Sequence, residues 1–327
     1  MVTEKTEKRN GHCLSSKQKR ILTAAVYVTV WVALCALKWL VPGNWGAFGF
    51  DIVFCAVSVI GSYEFLRAID HTAAPEQKIS TPQRAFTIAF CALVIPLYVS
   101  VQLTMNAGFL AVACAFTVYV MFLCATSVFD HRRSTVKGTI YCIFCMLYCG
   151  VLSSMMAAIN HLTKNSMAAI LLLFMSTVLT DTGAFAIGTL FKRWIPAKLA
   201  PQLSPNKTVV GAVGGVLGGI AGALLAYLII YYLGGGVNGA EFEMGINGVF
   251  LTFTSTKIHP VVTFILVGFA TAIMAQVGDL FESAIKRECG IKDMGNLLPG
   301  HGGILDRFDS MLYCSAVVLL SFGTIII

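Results

Sequence analysis

The sequence predicts an all-α polytopic membrane protein of about nine transmembrane helices, with its N-terminus in the cytoplasm. Three observations predict it. Hydrophobic residues make up 57% of the 327 positions and charged residues only 12%, against about a quarter charged in soluble domains, and mean hydropathy is +0.79. Apolar runs near the ~20 residues that cross the hydrocarbon recur along the chain, and a helix satisfies its own backbone there. The basic residues are distributed so as to select one orientation.

In chain order, residues 1–20 form a polar, basic cytoplasmic tail. The apolar run after it is too long for the core of a signal peptide. Spans follow over 21–41, 46–66, 85–103, 107–129 and 139–159, making a five-helix N-terminal region over 21–165. A C-terminal region over 166–327 holds about four more, at 166–191, 209–233, 260–279 and 310–327. The last is short unless its helix starts in the preceding LDRFD. With the N-terminus inside, all of the 23 Lys and Arg residues except Lys38, Lys164 and Lys257 lie on the cytoplasmic side. The long polar loops 192–208 and 280–309 then face the cytoplasm, and the glycine-rich loop 234–259 lies outside. A formal charge of +7 so dispersed sets topology and attracts anionic lipid, and does not suggest nucleic acid.

Most of the eleven cysteines sit inside apolar runs without zinc-ligand context, as small hydrophobes rather than a disulfide framework. Gly211, Gly215 and Gly219, with Gly214, Gly218 and Gly222 beside them, form stripes that let helices approach closely. Packing within the chain and between subunits are both open, so a homodimer is an option. A dinucleotide fingerprint would need a preceding strand and a soluble βαβ unit, and neither is expected here.

Chemistry concentrates near the C-terminus. Residues 283–309 carry Glu288, Asp293, Asp306, Asp309, four cations, His301 and five glycines. Asp279 ends a span, where an ionisable group is costly unless paired, metal-bound or wet. If that helix continues, Asp279, Ser283 and Arg287 share a face and suit a metal-bound phosphate; a plain salt bridge from Asp279 to Arg287 or Lys286 is the competing account. Asp306 and Asp309 share the first turn of the last helix after Gly302 and Gly303, with the oxygen chemistry that magnesium takes. Ser204, Asn206, Lys207 and Thr208 precede a helix N-terminus, a ready anion site, or merely a capped loop. Asp181 lies at or near the cytoplasmic end of another span and is a site candidate, or a partner for Thr180 or Thr182. Asp51 is an intramembrane acid for which the sequence supplies no partner, and His71, His131, His161 and His259 show no ligand spacing.

These residues resemble those of the phosphatidate cytidylyltransferase (CDP-diacylglycerol synthase) family. Its C-terminal pattern is filled by Ser283, Lys286, Arg287, Lys292, Asp293, Gly295, Leu298, Pro299, His301, Gly302, Gly303, Asp306, Arg307 and Asp309. Gly278, Asp279 and Leu280, the SPNKT run 204–208 and the run from Asp181 to Gly188 agree as well. The motif-bearing part covers about residues 170–310; earlier residues are similar in hydropathy alone. Phe185 stands where the family often has Tyr, and Val209 and Val210 where it often has Trp-Glu.

The resemblance implies that CTP and phosphatidic acid give CDP-diacylglycerol and pyrophosphate at a membrane, with Mg2+, and with room for a second cation. It implies Asp279, Asp306 and Asp309 as metal ligands. Lys286, Arg287, Lys292, Arg307 and Lys207 are implied as phosphate partners, with Ser204, Asn206, Ser283 and Asp181 as substrate contacts and His301 orienting Asp306 or a phosphate. A bacterial plasma membrane with the site facing the cytoplasm is the expected location. Two other classes stand beside this one. A CTP-dependent polyprenol kinase would release CDP, and a cation transporter would place its acids at mid-membrane rather than at helix ends.

Overall fold

A computed structural model describes residues 16–41, 44–72, 79–130, 134–162, 165–233, 260–298 and 302–322. The first 15 residues, the expected outer loop 234–259, and His301 lie outside the described residues. Helices α1 (Ser16–Leu40), α2 (Trp45–Thr72), α3 (Thr81–Met105) and α4 (Gly108–Phe129) come first. A single span then runs as α5 (Val136–Cys145), a π-helical turn (Met146–Val151) and α6 (Leu152–Asn160). After it come α7 (Ser166–Phe191), strands β1 (Lys198–Ala200) and β2 (Ser204–Thr208), α8 (Val209–Leu233), α9 (Pro260–Glu288) and α10 (Leu305–Phe322).

Seven of these helices are long and apolar enough to cross a membrane, which confirms the polytopic, all-α reading. The first apolar stretch, Ala25–Leu40, is shorter, and α10 has 18 residues. That last helix begins within LDRFD, as its length required. One local feature departs from an all-helical chain: SPNKT is an antiparallel strand, pairing with β1 so that Lys198 opposes Thr208 and Ala200 opposes Ser204.

Local chemistry sets the boundaries. Ser80 caps α3 through the Gln83 amide, with a proline in the first turn, and Thr135 caps α5 through the Gly138 amide at 3.1 Å. Asn106 closes α3 in the left-handed region at φ 55°, a conformation Asn tolerates better than most residues.

Small residues determine how closely α7, α8 and α9 pack. A methyl on Gly214 would stand 2.5 Å from Ile187 Cβ and 2.8 Å from Gly183 O, and one on Gly268 would stand 2.6 Å from Ala223 Cβ. Without those methyls the backbones touch, and close packing is what holds helices together where lipid removes the hydrophobic driving force. The glycine stripe therefore serves within the chain, and no longer argues for a homodimer. Aromatic rings join the N-terminal helices to the rest: Trp31 of α1 stacks on Phe174 of α7 at 4.5 Å and meets Phe50 of α2 at 5.4 Å, while Tyr27 meets Phe308 of α10 at 6.1 Å.

At the end away from the C-terminal acids, Asp51 does have partners. Asn160 donates to Asp51 Oδ1 at 2.8 Å, and His161 Nε2 lies 2.7 Å from Asp51 Oδ2. Lys38 donates to Asn160 O and Oδ1 at 2.6 and 2.7 Å. These contacts tie α1, α2 and α6 together, and give Asp51 and His161 a structural role that sequence spacing did not reveal.

Candidate functional site

Where α7, α8 and α9 end on the side of the hairpin, they enclose a cavity of about 520 Å³. Asp181 and Phe185 reach it from α7, Ser204, Asn206 and Lys207 from β2, and Asp279 from α9. The hairpin is held in place from several directions. Lys198 donates to Pro205 O at 2.6 Å, Arg287 Nε donates to Leu203 O at 3.2 Å, and the Thr208 hydroxyl accepts from the Gly211 amide at 3.0 Å, capping α8. Lys207 is thereby aimed at Asp279, and the two form an ion pair. Asp279 thus pairs with neither of the cations considered from sequence, and Arg287 supports the hairpin instead. Gln276, one turn before Asp279, donates to Ala212 O and Ala272 O at 3.2 Å each, joining α9 to α8 at the cavity wall.

A second group of charges adjoins the first along α9. Lys286 donates to Glu282 Oε2 at 2.8 Å and to Asp306 Oδ1 at 2.9 Å. Asp306 Oδ2 accepts from the amides of Gly303 at 2.7 Å and Met294 at 2.9 Å, so this side chain ties Met294 and Gly303 to the start of α10. Gly302 sits at φ 84°, where a side chain would be strained, and a methyl there would stand 2.7 Å from Asp306 Oδ2. Asp309, only 7% exposed, accepts from the Ser310 amide at 2.6 Å. Its carbonyl oxygen would stand 2.9 Å from a methyl on Gly278, so the glycine before Asp279 lets α9 and α10 touch.

Three helices, α7, α9 and α10, bring their acids to one end of the molecule. Asp181 lies within electrostatic reach of Asp279, Asp309, Lys207 and Arg307. Glu282 is fully buried, its carboxyl lies against that of Asp309, and its Oε1 has no hydrogen-bond partner. Two buried carboxyls in contact hold a proton or a cation between them, and an orphaned buried oxygen asks for the same explanation. Among the described residues no three His, Cys, Asp or Glu side chains form a ready-made metal cage. Magnesium does not need one, since it binds through one or two carboxylates plus substrate phosphates. Carboxylate oxygens on the wall of the cavity, from Asp181 and Asp279, fit that cation.

The remaining expected residues are less central. Ser283 is half-buried one turn beyond Asp279 and outside the cavity lining, and Lys292 and Arg307 are exposed on this end. Three residues were not singled out from sequence. Gln276 and Glu282 flank Asp279 on its own helix. Glu64 of α2 is 5% exposed, and its carboxylate accepts from the amides of Ile304 at 3.1 Å and Leu305 at 2.9 Å. An acid within an apolar run was the available signal for Glu64, the same one that drew attention to Asp51.

The comparison with known proteins agrees with this layout. A phosphatidate cytidylyltransferase of Bacillus subtilis (strain 168) is 37% identical over 135 residues, covering 41% of this chain and 39% of that protein. Those of Staphylococcus haemolyticus and Staphylococcus saprophyticus are 31% and 32% identical over 191 residues. The chain therefore spans about six-tenths of the length of these two, 62% in each case. A family model described as the cytidylyltransferase family matches residues 18–325, from the first helix to the last. With acids, lysines and a cavity of about 520 Å³ gathered at one end of the helices, and a family match over residues 18–325, the chain belongs to the cytidylyltransferase family.

Proposed function

We propose that this protein is a phosphatidate cytidylyltransferase, joining the phosphate of phosphatidic acid to the α-phosphorus of CTP. A lipid phosphate oxygen forms the new bond to Pα, the bond from Pα to the bridging oxygen breaks, and pyrophosphate leaves with that oxygen. The observation that carries the reading is a cavity at the helix ends whose lining includes Asp181, Lys207 and Asp279. A lipid phosphate lies at that depth, while its acyl chains stay between helices.

Transfer of this kind depends on positioning and charge neutralisation rather than covalent help. Lys207 is placed to grip a phosphate once Asp279 turns to a cation, and Ser204 and Asn206 line the same wall for polar contacts to nucleotide or phosphate. Asp279 and Asp309, from adjoining helices, would hold Mg2+, which when bound neutralises the triphosphate and the leaving pyrophosphate. Asp306 joins them only by releasing Lys286 or the two loop amides it accepts from. Lys286, Arg287, Lys292 and Arg307 set a positive field on the same end for the polyphosphate. The basic residues on the loops at this end support a cytoplasmic orientation, in a bacterial plasma membrane, with CTP entering from the cytoplasm.

The test is purified protein in detergent with labelled CTP, phosphatidic acid and Mg2+. A CDP-lipid and pyrophosphate are expected. Folded protein yielding only CDP and a phosphorylated alcohol, when offered a polyprenol, would transfer the assignment to a kinase. No CDP-lipid under any lipid supplied would overturn it.

A further inference from the structure

Three successive backbone amides open the last helix, and two carboxylates divide them. The Gly303 amide donates to Asp306, while those of Ile304 and Leu305 donate to Glu64, which arrives from α2, some 240 residues earlier in the chain. Glu64 is inserted tightly. A methyl on Gly303 would stand 2.5 Å from Glu64 Oε2, and one on Gly295 would overlap Oε1 outright. Among the described residues no cation pairs with this carboxylate, so the amides are what stabilise its charge. A buried anion held in this way is costly for a mere loop anchor, which a neutral side chain could supply.

We infer that Glu64 is a positioning residue: by occupying the Ile304 and Leu305 amides it keeps Asp306 from taking them. Asp306 then stays on the Gly303 and Met294 amides and presents Oδ1 to Lys286 at 2.9 Å. The first turn of α10, which carries both Asp306 and Asp309, is held in register with α9. The inference rests on the transfer reaction proposed above, because the benefit of a fixed Asp306–Asp309 turn is a fixed geometry for cation and polyphosphate. It also gives the N-terminal half of the chain a direct hold on the site.

Glu64→Gln preserves size but turns an N–H2 toward one of the two amides, leaving it unsatisfied. Two readouts decide the case. In the transfer assay the Mg2+ concentration for half-maximal rate is expected to rise about ten- to hundredfold, as for groups that orient metal ligands, while the KM for phosphatidic acid stays within about twofold of the parent. In protein without substrates, tryptic cleavage at Lys292, exposed in the loop that Glu64 holds, is expected to accelerate about tenfold as local opening becomes easier. Gly303→Ala, which crowds the same carboxylate from the loop side, should shift both readouts the same way and covers the case in which Glu64→Gln does not fold. Unchanged Mg2+ dependence and cleavage overturn the inference. So does a uniform loss in every kinetic parameter, with cleavage appearing equally at Arg84 and Lys137. If the parent protein makes no CDP-lipid, the enzymatic reading fails instead, and accelerated cleavage at Lys292 alone still separates that failure from a failure of the Glu64 contact.

Discussion

At the scale of residues, the Lys207–Asp279 pair is the most informative contact. Each side chain is about one-third exposed, and an ion pair that accessible contributes little to stability. In the proposed reaction its value would lie in being exchangeable: the carboxylate would turn to a cation and the ammonium to a phosphate when substrate enters. The two groups then act as a unit, so their substitutions should not add. Asp279→Asn is expected to lower CDP-lipid turnover by about a hundredfold or more, as removal of a preorganised charged group does. Lys207→Ala should raise the CTP requirement, and the double variant should be no worse than Asp279→Asn alone. Steady-state rates for the four proteins check this; fully multiplicative losses would mean the pair has no joint role. The pairing was not legible from sequence, because Lys207 and Asp279 are 72 residues apart and the β1–β2 hairpin brings them together.

At the scale of elements, hydropathy and glycine spacing were enough to find the helices. The observed bounds of α7 and α8 coincide with the apolar runs 166–191 and 209–233. Ends that carry charge were read less well. Helix α9 runs on to Glu288 and α10 starts at Leu305, since polar residues at a membrane surface interrupt an apolar run without interrupting the helix. The SPNKT strand was missed for a related reason. Five residues with a proline read as loop, and pairing with β1 is a tertiary fact. The α7–α8 contact makes its own prediction. Gly214→Val would drive methyls into Ile187 and the Gly183 carbonyl, and overpacking of this sort costs about 1–3 kcal/mol. A lower unfolding temperature in detergent is expected together with a raised KM for CTP, because Gly211 and Ala212 on the same helix line the cavity. An unchanged unfolding temperature would mean that the helices have room the geometry does not show.

For the whole molecule, orientation is the property that assigns the cavity to one side of the membrane. Lys198 and Lys292 stand exposed near the candidate site, and the positive-inside rule predicts a cytoplasmic position for that end. Lys198→Cys and Lys292→Cys, in a background where the exposed Cys114 and Cys124 are serine, should react with a membrane-impermeant maleimide in inside-out vesicles and not in intact cells. Labelling of Lys198→Cys in intact cells would invert the topology and strand the proposed CTP site outside. Cohesion between the two halves is equally a whole-molecule matter. Tyr148, carried on the π-helical turn, packs against Phe281 and Tyr313 at 6.2 and 6.1 Å, and Glu64 grips the start of α10. The N-terminal helices are therefore built into the site rather than simply anchoring it.

Composition and apolar run lengths determined on their own that this chain is a helical membrane protein, because transfer into lipid is governed by residue type and length alone; the polar loops and helix-end acids of 166–309 marked where a site was to be sought. The aspartates and lysines of the site were likewise visible one by one, as charges too costly to keep in a membrane without use. Their pairing was decided only by the tertiary structure. Whether Asp279 meets Lys207 or Arg287, whether Asp51 is alone, and what holds the first turn of α10 all depend on contacts between residues from about 20 to some 240 positions apart. Short-range electrostatics and hydrogen bonding act over a few ångströms of space, a distance that separation along the chain does not encode.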